Sequence, residues 1–302
     1  MSVLAEKILA GDRRALARAA TLVENRLPQS EEILKELFPH TGHASILGLT
    51  GPPGAGKSTL ADRLIATIRA EGLTAGVIAV DPTSPFSGGA VLGDRVRMMS
   101  HHADSGVFIR SMATRGWLGG LAHATLDMTL LLDAAGFDMI LVETVGVGQD
   151  EVEIARLADV TLVMLVPSMG DDVQALKAGI MEIADVLVIN KSDLPGADTL
   201  ERELKASLSL AHRPDGWSPP IVRTVANEGQ GIDAALAAAR AYRHGGLPAN
   251  RAAALWGLRL RQMLRDKMLE RLPPEWVDRA AEEVAARRRD PYSIVHEWLE
   301  RI

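Results

Sequence analysis

Between residues 45 and 225 the chain alternates short apolar runs with longer amphipathic stretches. The runs are SILGLT at 45–50, AGVIAV at 75–80, VFIR at 107–110, DMILV at 138–142, VTLVMLV at 160–166, ADVLVI at 184–189 and IVRTV at 221–225. They recur at roughly 25–35 residues, with helical patterns between most of them, for instance at 58–71 and 120–135. Runs that are apolar at consecutive positions read as strands buried on both faces. Alternation with helices then predicts an α/β fold, a mostly parallel central sheet covered by helices on both faces. Residues 1–40 carry helical spacing at Leu4, Ile8 and Leu9, at Leu16, Ala19, Ala20 and Val23, and at Ile33, Leu34 and Leu37 after Pro28. PHTGHA at 39–44 reads as a linker, and beyond HGGLP at 244–248 the pattern is helical to the end. The expected division is a helical extension at 1–43, an α/β domain at 44–245 and a helical arm at 246–302.

The first run leads into GPPGAGKST at 51–59, which matches G-x-x-x-x-G-K-[ST] between a strand and a helix. Gly51, Gly54 and Gly56 let the backbone wrap phosphates, so that successive N–H groups and the helix N-terminus face negative charge. Pro52, Ala55 and Thr59 complete the cradle, Lys57 supplies a point charge to the β- and γ-phosphates, and Ser58 offers a hydroxyl to Mg²⁺. The motif predicts a P-loop NTPase. The sixth run ends in NKSD, Asn190 to Asp193. A carboxylate at Asp193 can accept from the ring N–H and the exocyclic amine of guanine, whereas adenine offers neither there. Two such bonds at roughly 1.5–3 kcal/mol each favour GTP over ATP. Lys191 can lay its stem over the base, and Asn190 can tie this loop to the phosphate loop. In TVANEGQG at 224–231 the Ala226 N–H is placed to reach the guanine carbonyl.

The fourth run ends in a carboxylate, Glu143, followed by the glycine-containing stretch TVGVGQDE. An unpartnered buried charge costs several kcal/mol, so Glu143 needs a cation, donors or water. Asp81 ends the second run, and Asp94 opens a helical stretch beyond it. Ligands bind outside the carboxyl ends of parallel strands, which places Ser58, Asp81, Asp94 and Glu143 as candidates around Mg²⁺, a hard cation that takes oxygen ligands and keeps several waters. Gly146 can bring its N–H to the γ-phosphate, and Gln149 is the candidate for orienting the attacking water.

Net charge is −6, which does not favour a nucleic-acid backbone as partner. The absence of cysteine excludes disulfides and thiolate metal sites. No apolar stretch of membrane-spanning length occurs, and the first twenty residues lack the apolar core of a signal peptide, so a cytoplasmic location is expected.

These residues together resemble the methylmalonyl-CoA mutase-associated GTPases, the MeaB and ArgK group. The stretches that carry the resemblance are GPPGAGKST, VDPTSPFSGGAVLGDRVRM at 80–98, RSMATRGWLGG at 110–120, ETVGVGQDE at 143–151, GDDVQALKAGIMEIADV at 170–186 and NKSD. The resemblance implies a GTPase that docks on an adenosylcobalamin-dependent acyl-CoA mutase, gates cofactor loading, and protects or reactivates the mutase. It also implies homodimerisation through the C-terminal arm. Asp171, Asp172, Gln174 and Lys177 fall in a partner-responsive third switch that contributes to hydrolysis, so turnover is expected to be slow alone and faster with the partner. Asp150 departs from the family pattern, which usually has a small residue there. A kinase of a periplasmic arginine- or ornithine-binding protein, or a GTP-sensing adaptor with negligible turnover, are the alternatives. Weaker signals are His101 and His102, either a ligand pair or the end of a helix, and Arg110 and Arg115, which could face a switch, a partner or a salt bridge.

Overall fold

The computed structural model describes residues 1–81, 99–101, 103–113, 120–144, 150–167, 182–210, 213, 216–245 and 251–301. All seven apolar runs form strands: β1 (Ser45–Thr50), β2 (Ala75–Asp81), β3 (Val107–Ala113), β4 (Met139–Thr144), β5 (Val160–Leu165), β6 (Val186–Ile189) and β7 (Ile221–Arg223). They make one sheet in the order β3-β2-β4-β1-β5-β6-β7, and every pairing is parallel. The strand direction therefore gathers the ends of β1, β2, β4, β5 and β6 along one edge. The last strand is shorter than its run because Thr224 N–H donates to Ile189 O while Val225 turns to pair with Gln230.

The inner strands lack a polar face because both faces are covered. In β4, Met139 and Leu141 join one core, and Ile140 and Val142 join the other. The first core packs under α4 (Lys57–Ala70), through Leu60, Leu64, Ile65 and Ile68, and under α8 (Ile232–Gly245), through Ile232, Ala235, Leu236 and Ala239. The opposite face is covered by α5 (Gly120–Ala134) and α6 (Asp150–Leu157), and near β5 and β6 by α7 (Ala197–Leu210). This period-two partition is what consecutive apolar residues require in a doubly covered sheet.

Three helices precede the sheet: α1 (Val3–Leu9), α2 (Arg13–Glu24) and α3 (Pro28–Leu37). Ser2 caps the first. Asp12 caps the second by accepting from Arg14 N–H and Ala15 N–H, and those bonds hold its carboxyl below the usual carboxylate range. Their apolar stripes, including Ile8, Leu16, Val23, Ile33 and Leu37, share the core of α5. Polar ties reinforce the docking. Arg13 donates to the carbonyls of Asp104, Ser105 and Val107. The linker wraps Asp133, which accepts from the N–H groups of Gly42, His43 and Ala44.

At the far edge of the sheet, Asp185 precedes β6 and is 1% exposed. It accepts from Thr161 N–H at 2.9 Å, from Arg213 at 3.1 Å and from Arg251 at 3.1 Å, while its carbonyl accepts from Trp217 Nε1 at 2.9 Å. Tyr242 packs against Trp217 and beneath Arg251, and burial pushes its hydroxyl pKa upward. A buried carboxylate shared by two guanidinium groups is the arrangement that makes such a charge tolerable.

Two compact units are present, Met1–Arg251 and Ala252–Ile302. The second comprises most of α9 (Arg251–Glu270), then α10 (Pro274–Ala285) and α11 (Pro291–Arg301). Within it Ile294 is buried, Arg301 lies over the Trp276 ring, and Leu260 and Leu264 are about three-fifths exposed, at 60% and 62%. Among the described residues, no helix is long and apolar enough to cross a membrane.

Candidate functional site

The loop at 51–56 leaves β1 and enters α4 with Gly51 at φ +140°, Gly54 at +77° and Gly56 at +92°. Space forbids a side chain at two of them. A Cβ on Gly51 would lie 2.3 Å from Met164 O, and one on Gly56 would lie 2.5 Å from Asn190 Nδ2. The cradle is thus shaped by close approach on two sides, of the Met164 backbone on one and of the Asn190 side-chain amide on the other. Lys57 opens α4, is 6% exposed, and donates through Nζ to Gly51 O at 2.7 Å and Pro52 O at 3.0 Å. Its charge is held over the loop that the helix N-terminus faces, which is the arrangement expected of an anion site.

Ser58, in the first turn of α4, donates from Oγ to Glu143 Oε1 at 2.6 Å. Both residues are buried, at 5% and 2% exposure. Glu143 lies opposite Leu49 and Ala79, so it is the penultimate residue of β4, the strand between β1 and β2. Thr144, the next residue, donates to Thr50 Oγ1. A hydroxyl and a carboxylate side by side are hard oxygen donors and fit Mg²⁺ chemically. Among the described residues no group of three or more His, Asp or Glu that could hold a metal occurs. The backbone of Asp81 ends β2, but its side chain lies outside the described residues, as does all of Asp94.

The base-side loops converge on Asn190, which is 3% exposed. Its Nδ2 donates to Ala55 O at 2.8 Å, and its Oδ1 accepts from Thr224 Oγ1 at 3.0 Å and from Ala226 N–H at 3.1 Å. One amide therefore joins the phosphate loop to the end of β6 and to the turn after β7. In this arrangement Ala226 N–H, the expected donor to the guanine carbonyl, donates to Asn190. Lys191 adopts φ +54°, a left-handed conformation that costs a non-glycine residue and clusters at functional sites. It sets the exposed Asp193 at the head of a turn held by Ser192 N–H to Thr224 O.

Sequence reasoning did not single out Thr224, or Arg63 of α4, which donates from Nε to Ala226 O at 3.2 Å and from Nη2 to Asn227 O at 2.8 Å. No pattern marks either one, since a threonine at a strand end and an arginine on a helix surface are ordinary. Gly146, Gln149, Asp171, Asp172, Gln174, Lys177, His102 and Arg115 lie outside the described residues, and the Asp150 backbone begins α6 without a described side chain. Arg110 is joined to Glu24 and Thr21 of α2, and His101 sits 3.1 Å from Asp62.

A family model described as "Methylmalonyl Co-A mutase-associated GTPase MeaB" matches residues 16–274. The chain belongs to the MeaB family. A protein of Pyrococcus abyssi is 59% identical over 232 residues, 76% of this chain and 72% of its own. GTPase ArgK of Escherichia coli is 41% identical over 231 residues, 74% of this chain and 70% of its own. The mouse mitochondrial methylmalonic aciduria type A homolog is 36% identical over 258 residues, 78% of this chain and 61% of its own. Among solved structures, an LAO/AO transport system kinase is similar at TM-score 0.72 and 29% identity, covering 98% of this chain and 95% of that one. HypB from Helicobacter pylori, at TM-score 0.51 and 16% identity over 72% of this chain and 95% of that one, shares the fold. As a MeaB-family P-loop GTPase the chain binds guanine nucleotide and hydrolyses GTP.

Proposed function

We propose that this MeaB-family protein is a Mg²⁺-dependent GTPase that serves as a switch and chaperone for an adenosylcobalamin-dependent acyl-CoA mutase of the methylmalonyl-CoA mutase type. It gates cofactor loading and protects or reactivates the mutase. The observation that carries this reading is the family match across 16–274, whose description names that association. Water attacks the γ-phosphorus of GTP, the bond to the bridging oxygen breaks, and GDP and phosphate leave. Lys57 and the N–H groups of the 51–56 loop hold the phosphate charge. Ser58, beside Glu143, would hold Mg²⁺ with Asp81 and Asp94, and the ion supplies Lewis-acid stabilisation of the phosphoryl oxygens. Asn190, Lys191, Asp193 and Ala226 hold the base. Gly146 and Gln149 act at the γ-phosphate, and Asp171, Gln174 and Lys177 answer the partner.

The same reading places the protein in the cytoplasm and makes 246–302 a homodimerisation arm. The exposed Leu260 and Leu264 support that assignment. The test is a pull-down with and without a non-hydrolysable GTP analogue, followed by identification of the bound protein. Nucleotide-dependent capture of a cobalamin-dependent mutase is expected, and its absence overturns the chaperone reading.

A second reading is favoured by the likeness to the LAO/AO transport system kinase and to ArgK: phosphoryl transfer to a periplasmic amino-acid-binding protein. It predicts a labelled acceptor protein from γ-labelled GTP. The GTPase reading predicts free phosphate with GTP alone.

A further inference from the structure

The turn after β7 is short and tightly closed. Ala226–Glu228 forms a single 3-10 turn, Gly229 follows at φ +75°, and Val225 pairs with Gln230. Its Ala226 N–H is drawn inward by Asn190 Oδ1. On its outer side two successive carbonyls, Ala226 O and Asn227 O, accept from the single guanidinium of Arg63. Arg63 belongs to α4, the helix whose first turn carries Lys57 and Ser58. A planar guanidinium donating to two carbonyls fixes the tilt of both peptide planes, which a flexible ammonium does not. A carbonyl that accepts from a cation also polarises its peptide and strengthens the N–H on the same plane.

We propose that Arg63 is a positioning residue for nucleobase recognition. It holds the 226–228 turn so that Asn227 N–H, which shares a peptide plane with Ala226 O, faces the oxygen at the six-position of the purine. Base reading is thereby fastened to the helix that begins the phosphate cradle. This inference rests on the assignment of 190–193 and 224–231 to the base.

The chemistry separates this role from simple structural support. Guanine and hypoxanthine both carry an oxygen acceptor at the six-position, and adenine carries an amine. The exocyclic amine that Asp193 would read exists in guanine alone. Loss of Arg63 must then weaken GTP and inosine triphosphate by the same factor and leave ATP unchanged. Loss of Asp193 must change the ratio of GTP to inosine triphosphate.

The experiment measures dissociation constants of the full chain for GTP, inosine triphosphate and ATP, with Arg63→Ala, Arg63→Lys and Asp193→Ala. A thermal melt confirms that each variant is folded, and Arg63, an exposed residue, is expected to be replaceable without unfolding. Arg63→Ala should weaken both six-oxo nucleotides in parallel by roughly threefold to tenfold, with Arg63→Lys intermediate. A uniform loss across all three nucleotides, or no loss at all, overturns the proposal. If the unaltered protein binds ATP as tightly as GTP, the base-site assignment itself fails and the proposal with it. That result is visible before any variant is made.

Discussion

Asn190→Ala tests whether the phosphate and base loops share one fastening. The side chain makes three hydrogen bonds, and the groups it serves are themselves buried: Ala55 is 0% exposed, Thr224 1% and Ala226 2%. Removing one partner of a buried hydrogen bond costs about 1–3 kcal/mol. The three bonds share one small space that water can enter, so their losses do not add in full, and a total of about 3–5 kcal/mol is expected. For a unit of this size that corresponds to a fall in Tm of about 6–20 °C. Urea unfolding of nucleotide-free protein reads the first quantity, and titration with a fluorescent GDP analogue reads the accompanying loss of affinity, expected to be at least about tenfold. Asn190→Asp sharpens the test. It keeps an acceptor for Thr224 and Ala226 but sets an oxygen against Ala55 O, so it should spare the turn and displace the phosphate loop. An Asn190→Ala protein within about 1 kcal/mol of the parent, with unaltered affinity, refutes the reasoning.

Gly51→Ala forces a Cβ against Met164 O at a φ that side chains rarely adopt, so nucleotide binding should be lost with about 2–4 kcal/mol of stability, checked by calorimetry and chemical denaturation. Asp185→Ala leaves Arg213 and Arg251 without their shared carboxylate and should cost about 3–5 kcal/mol by urea unfolding, although the site lies at the opposite edge from the nucleotide. Arg240 holds the Glu71 carboxyl below its ordinary value of 4.5, so that pair contributes stability above this pH and loses it as the pH falls through the lowered value. Glu71→Gln should therefore flatten the acid limb of a stability-versus-pH curve and leave the slope near neutrality alone. Lys177→Ala should leave GTP binding intact and blunt partner-stimulated phosphate release; an undiminished stimulated rate counts against the proposed switch.

The sheet was legible because its inner strands are buried on both faces, so that each announces itself as a nearly continuous apolar run, while the edge strands β3 and β7 are only partly covered and carry Arg110 and Arg223. Lys57, Ser58 and Asn190 were legible because phosphate and base chemistry dictate residue types at fixed spacing. Glu143 stood out because a carboxylate ending an apolar run needs a partner, and the nearest is Ser58, which only the fold brings within 2.6 Å. Arg63, Thr224 and Asp185 were not legible. Arg63 acts on the carbonyls of 226 and 227, Thr224 on the side chain of Asn190, and Asp185 on two guanidinium groups and Thr161 N–H, and the sequence offers no composition or period that records such distant pairings. The order of the strands was equally hidden, since a parallel sheet of seven runs admits many neighbours.

The shortest of the inner strands, β6, has four residues between two fixed points. Asp185 at its start is held by Arg213 and Arg251, and Asn190 after its end is held by the phosphate loop. At about 3.3 Å per residue these points lie roughly 16 Å apart, and the intervening side chains alternate between two separate cores. The segment behaves as a ruler of set length. A single-residue insertion or deletion within it would turn one end to the wrong face and break one of the two fastenings, so length variation across this stretch belongs in the exposed residues 194–196, beyond the fixed spacing of Asn190 to Asp193.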